Sequence, residues 1–292
     1  MKPTSYIFLV MSLVLFLGGY FTCGIAETMA ASSSTPIFDQ TFNDEGDAVY
    51  TYNLSGEQNT KLSLTFANVD VRVIGTATES YVMLKNFDVN NYTAALSAGT
   101  VKIDGTASFL SSLIDMSDGG LKFKGLRYFL LEKPNPERAR SVTVYISELS
   151  DLTTVSLTLT NGNVTFENLP NSLDYNVSLS GGNVSFTNVY SRSVANLSVT
   201  NGDVSIVNSE ISGITVNQDK GNFSYTTADS ASSELTSYDL RVEQGTVQYN
   251  GVAVNSPYKV TSPAPNSVIR VTMKEGLIRV NDGGDPPATP AQ

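Results

Sequence analysis

Asp219, Glu243 and Lys274 are the residues whose type and placement come nearest to chemistry. Each stands two places before a glycine in a recurring unit. Carboxylates brought together by a repeat, with calcium or with lysine as base, are what polysaccharide lyases and hydrolases on β-helix scaffolds use. The same three residues also suit a ladder of solvated ion pairs, which stabilises little. The interval from Gly221 to Gly245 is shorter than that from Gly245 to Gly276, so the chain leaves their stacking register open. Asp70, Glu167 and Asp203 fall at different places in the unit and are not expected to share a site. Ser256-Pro257-Tyr258-Lys259 matches the Ser-x-x-Lys of penicillin-interacting enzymes. That chemistry needs a helix start and a later Lys-Thr-Gly; the region reads as strand and turn and the later element is absent, so the match is a coincidence of letters.

Composition closes other routes. The 292 residues include no histidine, no tryptophan and one cysteine, Cys23. An imidazole base, a Ser-His-Asp triad, a His-ligated metal and an intramolecular disulfide are therefore excluded. With 18 basic against 28 acidic residues the net charge is −10, the wrong sign for nucleic acid. No catalytic or cofactor-binding residue is expected, no cofactor is implied, and Asp219 and Glu243 are the metal candidates. Lys122, Lys124, Arg127, Lys133, Arg138 and Arg140 gather a third of the basic residues. They form a candidate patch for anionic lipid or cell-wall polyanion, or a solvated loop neutralised by Glu132 and Glu137.

The elements that must position these residues are written as a repeat. Leu157-Thr-Leu-Thr-Asn-Gly-Asn-Val-Thr-Phe166, Val177-Ser-Leu-Ser-Gly-Gly-Asn-Val-Ser-Phe186 and Leu197-Ser-Val-Thr-Asn-Gly-Asp-Val-Ser-Ile206 carry their glycines, Gly162, Gly182 and Gly202, at equal intervals. Looser copies centre on Gly221, Gly245, Gly276 and Gly99, and another on Ala67, making eight. Apolar and small polar residues alternate in each, the period-2 pattern of a half-buried strand. Aligned on the glycine, one inward column reads Leu64, Leu96, Leu159, Leu179, Val199, Gln218, Val242, Met273. A second reads Val69, Val101, Val164, Val184, Val204, Phe223, Val247, Ile278. Only Gln218 is polar. The glycine supplies the positive φ of a tight corner.

A unit of this length holds two short strands and cannot bury its own apolar side. Stacking like on like solves that. The expectation is an all-β fold, a β-solenoid of about eight two-strand units. The alternative takes each Asn-Gly as a hairpin turn and builds a propeller-like stack of hairpins. Columns that match at every unit, rather than at every second unit, favour the solenoid. The solenoid domain is expected over 51–280, with an insertion at 105–150 able to cover an apolar end. Within the insertion, 108–114 reads as a short helix or buried loop, and 121–131 and 142–146 as strands. Residues 31–50 read as a linker and 281–292 as a flexible Gly/Pro tail. Residues 1–30 carry an uncharged apolar run that suits either a cleaved signal peptide or a membrane anchor over 7–26.

The Leu-Thr-Asn-Gly-Asn-Val-Thr-Phe type units after an N-terminal hydrophobic segment, together with Gly119-Gly-Leu-Lys-Phe-Lys-Gly-Leu126, resemble the bacterial "putative adhesin" family of exported β-solenoid-like proteins, a domain of unknown function. The resemblance covers roughly positions 50–280. It implies a cell-surface or extracellular protein and brings no active-site residues with it. The residues themselves add an outward coat: Ser, Thr and Asn prevail from position 151 to position 230. Such a coat can hydrogen-bond a glycan or a protein, and it also keeps stacked strands soluble without charge repulsion. The expected function is a non-enzymatic surface or envelope protein binding glycan or protein through that face. Its alternatives are a carbohydrate-active β-helix enzyme and an anchored envelope scaffold, with the membrane as a partner if the N-terminal segment stays uncut.

Overall fold

The computed structural model describes residues 39–42, 48–54, 60–76, 78–87, 93–105, 114–115, 122–123, 139–169, 173–227 and 235–284. The N-terminal segment 1–30, the anchor candidate 7–26 and the end of the tail lie outside them. In chain order the strands are β1 (Asp39–Phe42), β2 (Ala48–Asn53), β3 (Lys61–Asn68), β4 (Asp70–Thr76), β5 (Tyr81–Lys85), β6 (Thr93–Ser97) and β7 (Thr100–Asp104). A two-stranded pair, β8 (Ile114–Asp115) and β9 (Lys122–Phe123), precedes β10 (Ser141–Ser147). Then come β11 (Thr154–Asn161), β12 (Val164–Glu167), β13 (Asp174–Gly181), β14 (Val184–Thr187), β15 (Tyr190–Asn201) and β16 (Val204–Val207). The last are β17 (Glu210–Thr226), β18 (Thr236–Tyr249), β19 (Val252–Val254), β20 (Tyr258–Val260) and β21 (Ser267–Asn281).

The repeat folds as a β-solenoid. Each coil runs along a first leg, turns at the glycine, and returns along a second leg. First legs stack in parallel, with Leu157 on Val177 and Val177 on Leu197. Second legs do the same, with Phe166 on Phe186 and Phe186 on Ile206. Parallel pairing is what a solenoid requires and what a stack of hairpins cannot give. The alternating residues of both legs point into one core: Val155, Leu157, Leu159, Val164 and Phe166 are each at most 2% exposed. The rings of Phe166 and Phe186 stack 4.4 Å apart, with Tyr175 edge-on to both.

The corners show why glycine recurs. Gly162, Gly182 and Gly202 have φ of 132°, 123° and 147°, and a Cβ on Gly182 would lie 2.0 Å from the carbonyl oxygen of Gly162. Conformation and close stacking both exclude a side chain. The residue after each glycine ties the rungs together. Asn163 N–H donates to Asp70 Oδ1 (2.7 Å), Asn183 N–H to Asn163 Oδ1 (3.1 Å), Asp203 N–H to Asn183 Oδ1 (2.8 Å) and Asn222 N–H to Asp203 Oδ1 (2.8 Å). The opposite corner is a ladder of left-handed asparagines, Asn168, Asn188 and Asn208, with φ of 52°, 54° and 47°. Asparagine tolerates that region better than most residues. This second ladder keeps the same interval as the corner glycines, and it is the corner signal that alternation alone does not reveal.

Four expectations change. First, Ala67 does not take the glycine place. Phe66 pairs with Leu159 and Val71 with Val164, so Val69 stacks under Gly162 and the first unit slides by two positions. A slide of two keeps every side chain on its face, which is why alternation could not detect it. Asp70 therefore does share a ladder with Asp203. Second, Gly99 is the turn of an antiparallel hairpin between β6 and β7, and Leu96 is half exposed rather than inward. Third, the chain order is not the stacking order: β21 lies between β17 and β18, parallel to both. Fourth, part of the insertion joins the stack, since β10 pairs in parallel with β4. Residues 108–113 lie outside the described chain; Ile114 is strand. β1 falls in the expected linker and pairs antiparallel with β2.

Both ends of the stack are closed by antiparallel strands. At one end β6 lies on β7, and β5 on β10 with β2 on β5. At the other, β19 and β20 lie on β18. An antiparallel strand uses the open hydrogen-bonding edge without offering another coil-shaped surface to stack on.

Candidate functional site

Asp219, Lys274 and Glu243 do stack, and the inserted β21 sets their order. Lys274 sits on the rung between the two acids and bridges Asp219 at 2.8 Å. The hydrogen bond and charge of Asp219, with the charge of Glu243, raise the Lys274 ammonium above its ordinary value. Beside this ladder Lys220 pairs with Glu275 at 3.0 Å. Lys274 thus neutralises Asp219 and also feels the charge of Glu243. Among the described residues no group of three or more His, Cys, Asp or Glu could hold a metal.

Ser256 and Lys259 are likewise committed elsewhere. Ser256 Oγ accepts from Val242 N–H and donates to Val242 O, both at 2.9 Å, and so caps the stretch of β18 between β19 and β20. Lys259 bridges Asp239 at 3.1 Å. Of the basic patch, Arg140 is described: its guanidinium lies 5.8 Å from the centre of the Phe87 ring. Lys122 is a backbone position in β9. Lys124, Arg127, Lys133 and Arg138 lie outside the described residues. Gln218 is the one polar member of its column, 2% exposed. Its amide donates to the carbonyls of Gly202 and Asn222 across the corner, so it is a fastening of the fold.

The outward side of the first legs is the feature the geometry singles out. Register places Ser63, Ser156, Asn176, Asn196 and Thr215 in one column. Thr65, Thr158, Ser178, Ser198 and Asn217 form the next. Between the columns an open groove crosses β11, β13, β15 and β17. Asn196 Nδ2 donates to Asn176 Oδ1 at 3.1 Å, so these amides are held in register. The groove carries no charged residue. On the outward side of the second legs charge returns, as in the Arg72–Glu167 ion pair.

A parallel stack of two-legged coils, capped at both ends and presenting an uncharged hydroxyl and amide face, defines a β-solenoid scaffold. The family model described as Toastrack DUF4097 matches residues 59–284, and the chain belongs to that family. No match is found among curated proteins. Among solved structures the chain is similar to a "putative cell adhesion protein" from Clostridium sporogenes, at 13% identity, 85% of this chain, 100% of that chain and a TM-score of 0.44. A "putative adhesin" from Bacteroides fragilis follows at 11% identity, 82% and 99% coverage and 0.40. A "putative lipid binding protein" from Parabacteroides distasonis stands at 9%, 84% and 97% coverage and 0.24.

Proposed function

We propose that this chain is an exported, non-enzymatic surface protein whose first-leg face binds a glycan. The groove between the two outward columns carries this reading. Hydroxyls and primary amides both donate and accept hydrogen bonds, which matches a polymer whose surface is hydroxyls. Their fixed rung spacing of ~4.8 Å presents them as a preformed array, so little ordering entropy is lost on binding. The enzymatic alternative finds less support: Asp219 is bridged to Lys274, and the neighbouring carboxylates raise that ammonium above its ordinary value, away from the free amine that a lysine base needs. Export is the reading that fits the apolar segment over 7–26, and an uncut segment would hold the scaffold at the membrane.

The test is retention on a panel of immobilised glycans and cell-wall polymers, with product release scored in the same incubation. Ser178→Leu with Ser198→Leu fills the groove from exposed outward positions, removes two hydroxyls and adds no charge; it is expected to weaken retention by at least about tenfold, equivalent to ~1.4 kcal/mol, at a nearly unchanged melting temperature. Product release would restore the enzyme reading. Retention only by protein surfaces would replace the glycan with a protein partner.

A further inference from the structure

The columns of the groove do not stay neutral, and the change is abrupt. After Thr215 the same column continues to Arg270 on β21 and Asp239 on β18. The neighbouring column continues from Asn217 through Thr272 to Arg241. Cross-strand neighbours of opposite charge ordinarily pair, and Arg270 faces Asp239 in register. That pair does not form. Arg241 takes both oxygens of Asp239, at 2.9 and 3.1 Å, and Lys259 takes one at 3.1 Å. These partners hold the Asp239 carboxyl below its usual range, the Arg241 hydrogen bond foremost. Three cations therefore meet one carboxylate. Of these three, Arg270, exposed, is the one with neither hydrogen bond nor ion pair to a described residue. It stands where the neutral groove ends.

We propose that Arg270 is the receptor for a sugar carboxylate, and that the groove takes an acidic glycan whose neutral hydroxyls lie along the Ser, Thr and Asn columns. This rests on the glycan reading above and names its substrate class. A guanidinium offers a planar fork that fits a carboxylate through two parallel hydrogen bonds. One free cation also suits a single negative charge. Arg241 and Lys259 are already spent on Asp239, so nothing nearby would balance a doubly charged phosphate. At the far end the same column closes on Lys102, paired in register with Ser63, but Asp104 shares its outward face two positions on. The cationic mouth is thus the Arg270 end. In a chain of net charge −10, an unneutralised guanidinium at the end of an uncharged groove gives the polymer a direction as well as an anchor.

The test uses the purified full chain on three immobilised polymers, polygalacturonate, hyaluronan and polysialic acid. Each is paired with its carboxyl-reduced form, and dextran sulfate serves as a non-carboxylate anion. The expected result is retention of at least one acidic polymer about tenfold or more above its reduced form, the range of a charge-assisted hydrogen-bond pair. Arg270→Ala should erase that difference, Arg270→Lys should keep part of it, and Arg279→Ala on the second legs should leave it intact. Which polymer responds separates uronate from sialate. Equal retention of acidic and reduced forms would overturn the carboxylate assignment while leaving the glycan reading in place. Equal Arg270-dependent retention of dextran sulfate would also overturn it, as generic anion binding. No retention of any polymer would overturn both readings.

Discussion

At the scale of single residues the solenoid depends on positions that look interchangeable in the sequence. Ser178 and Gly182 are small residues of one unit, yet they stand in opposite situations. Ser178 points outward, whereas a Cβ on Gly182 meets the Gly162 carbonyl at 2.0 Å and φ is 123°. Gly182→Val should destabilise by about 3 kcal/mol or more, from strain plus displaced stacking. That lowers the melting temperature by roughly 6–12 °C for a domain of this size. Ser178→Val should stay within about 0.5 kcal/mol. Equal melting temperatures would refute the corner assignment. The buried tyrosines make a second residue-scale prediction. Tyr225 is pushed up to about 12, by burial first and then by the charges of Asp282 and Glu210. Burial likewise raises Tyr175, Tyr238 and Tyr249. A phenol whose folded value lies above its unfolded value of 10.0 stabilises fully below that pH. The contribution is lost as pH rises through the folded value. Stability should therefore fall from pH 10 towards 12, and the near-ultraviolet absorbance of tyrosinate should rise with unfolding. Smooth titration of every tyrosine near its ordinary value in a still-folded chain would contradict this burial.

At the scale of elements the last strand is the keystone. β21 has a full parallel ladder on each side, to β17 from Gly213 and to β18 from Thr236. The chain leaves that gap open until its C-terminal residues arrive. A buried carboxylate then fastens the strand's end. Asp282, 0% exposed, accepts from Tyr249 Oη (2.7 Å), Asn250 Nδ2 (2.8 Å) and Gly284 N–H (3.0 Å). The ordered chain thus reaches into the expected tail. Asp282→Ala would strand the buried Tyr249 hydroxyl and should cost about 1–3 kcal/mol. Ending the chain at Val260 should abolish the cooperative thermal transition, and a separate peptide spanning 261–284 should restore it. A truncated chain that melts at the same temperature as the full one would show that β21 is dispensable. The Asn-Gly dipeptide teaches the same lesson about context. Asn161-Gly162 forms a solenoid corner, while Asn250-Gly251, with φ of 47° and 81°, turns the β18–β19 hairpin. What differs is whether a neighbouring coil is present to accept the following strand in parallel.

At the scale of the whole molecule, a stack of near-identical coils could grow without limit, because each end of a parallel solenoid resembles the next coil's landing place. The antiparallel strands at both ends remove that possibility. Replacing 252–260 by a short flexible loop should expose the edge of β18 and produce concentration-dependent association, read by sedimentation velocity. A monomer at all concentrations would mean that β19 and β20 play no protective role. The same arrangement divides the molecule by charge. The central coils carry the neutral face, and charge gathers where β21 and β18 complete the stack, in the Asp219–Lys274–Glu243 ladder and around Asp239. The candidate glycan face was legible in the sequence as outward Ser, Thr and Asn. Its cationic end was not, because Arg270 follows Thr215 only through the insertion of β21.

What the sequence determined by itself was the coil. An evenly spaced repeat with alternating apolar residues and a corner glycine specifies two half-buried legs that must stack to be stable, and that reading requires only local geometry. What the tertiary structure alone decided was adjacency. Strand pairing is read with a period of two, so a slide of two positions at Val69, an exchange of order between β18 and β21, and a hairpin at Gly99 all preserve the alternation. Long-range hydrogen-bond register resolves them, and with them which charged groups meet: Lys274 between two acids, Arg241 and Lys259 on Asp239, and Arg270 left free at the end of the groove.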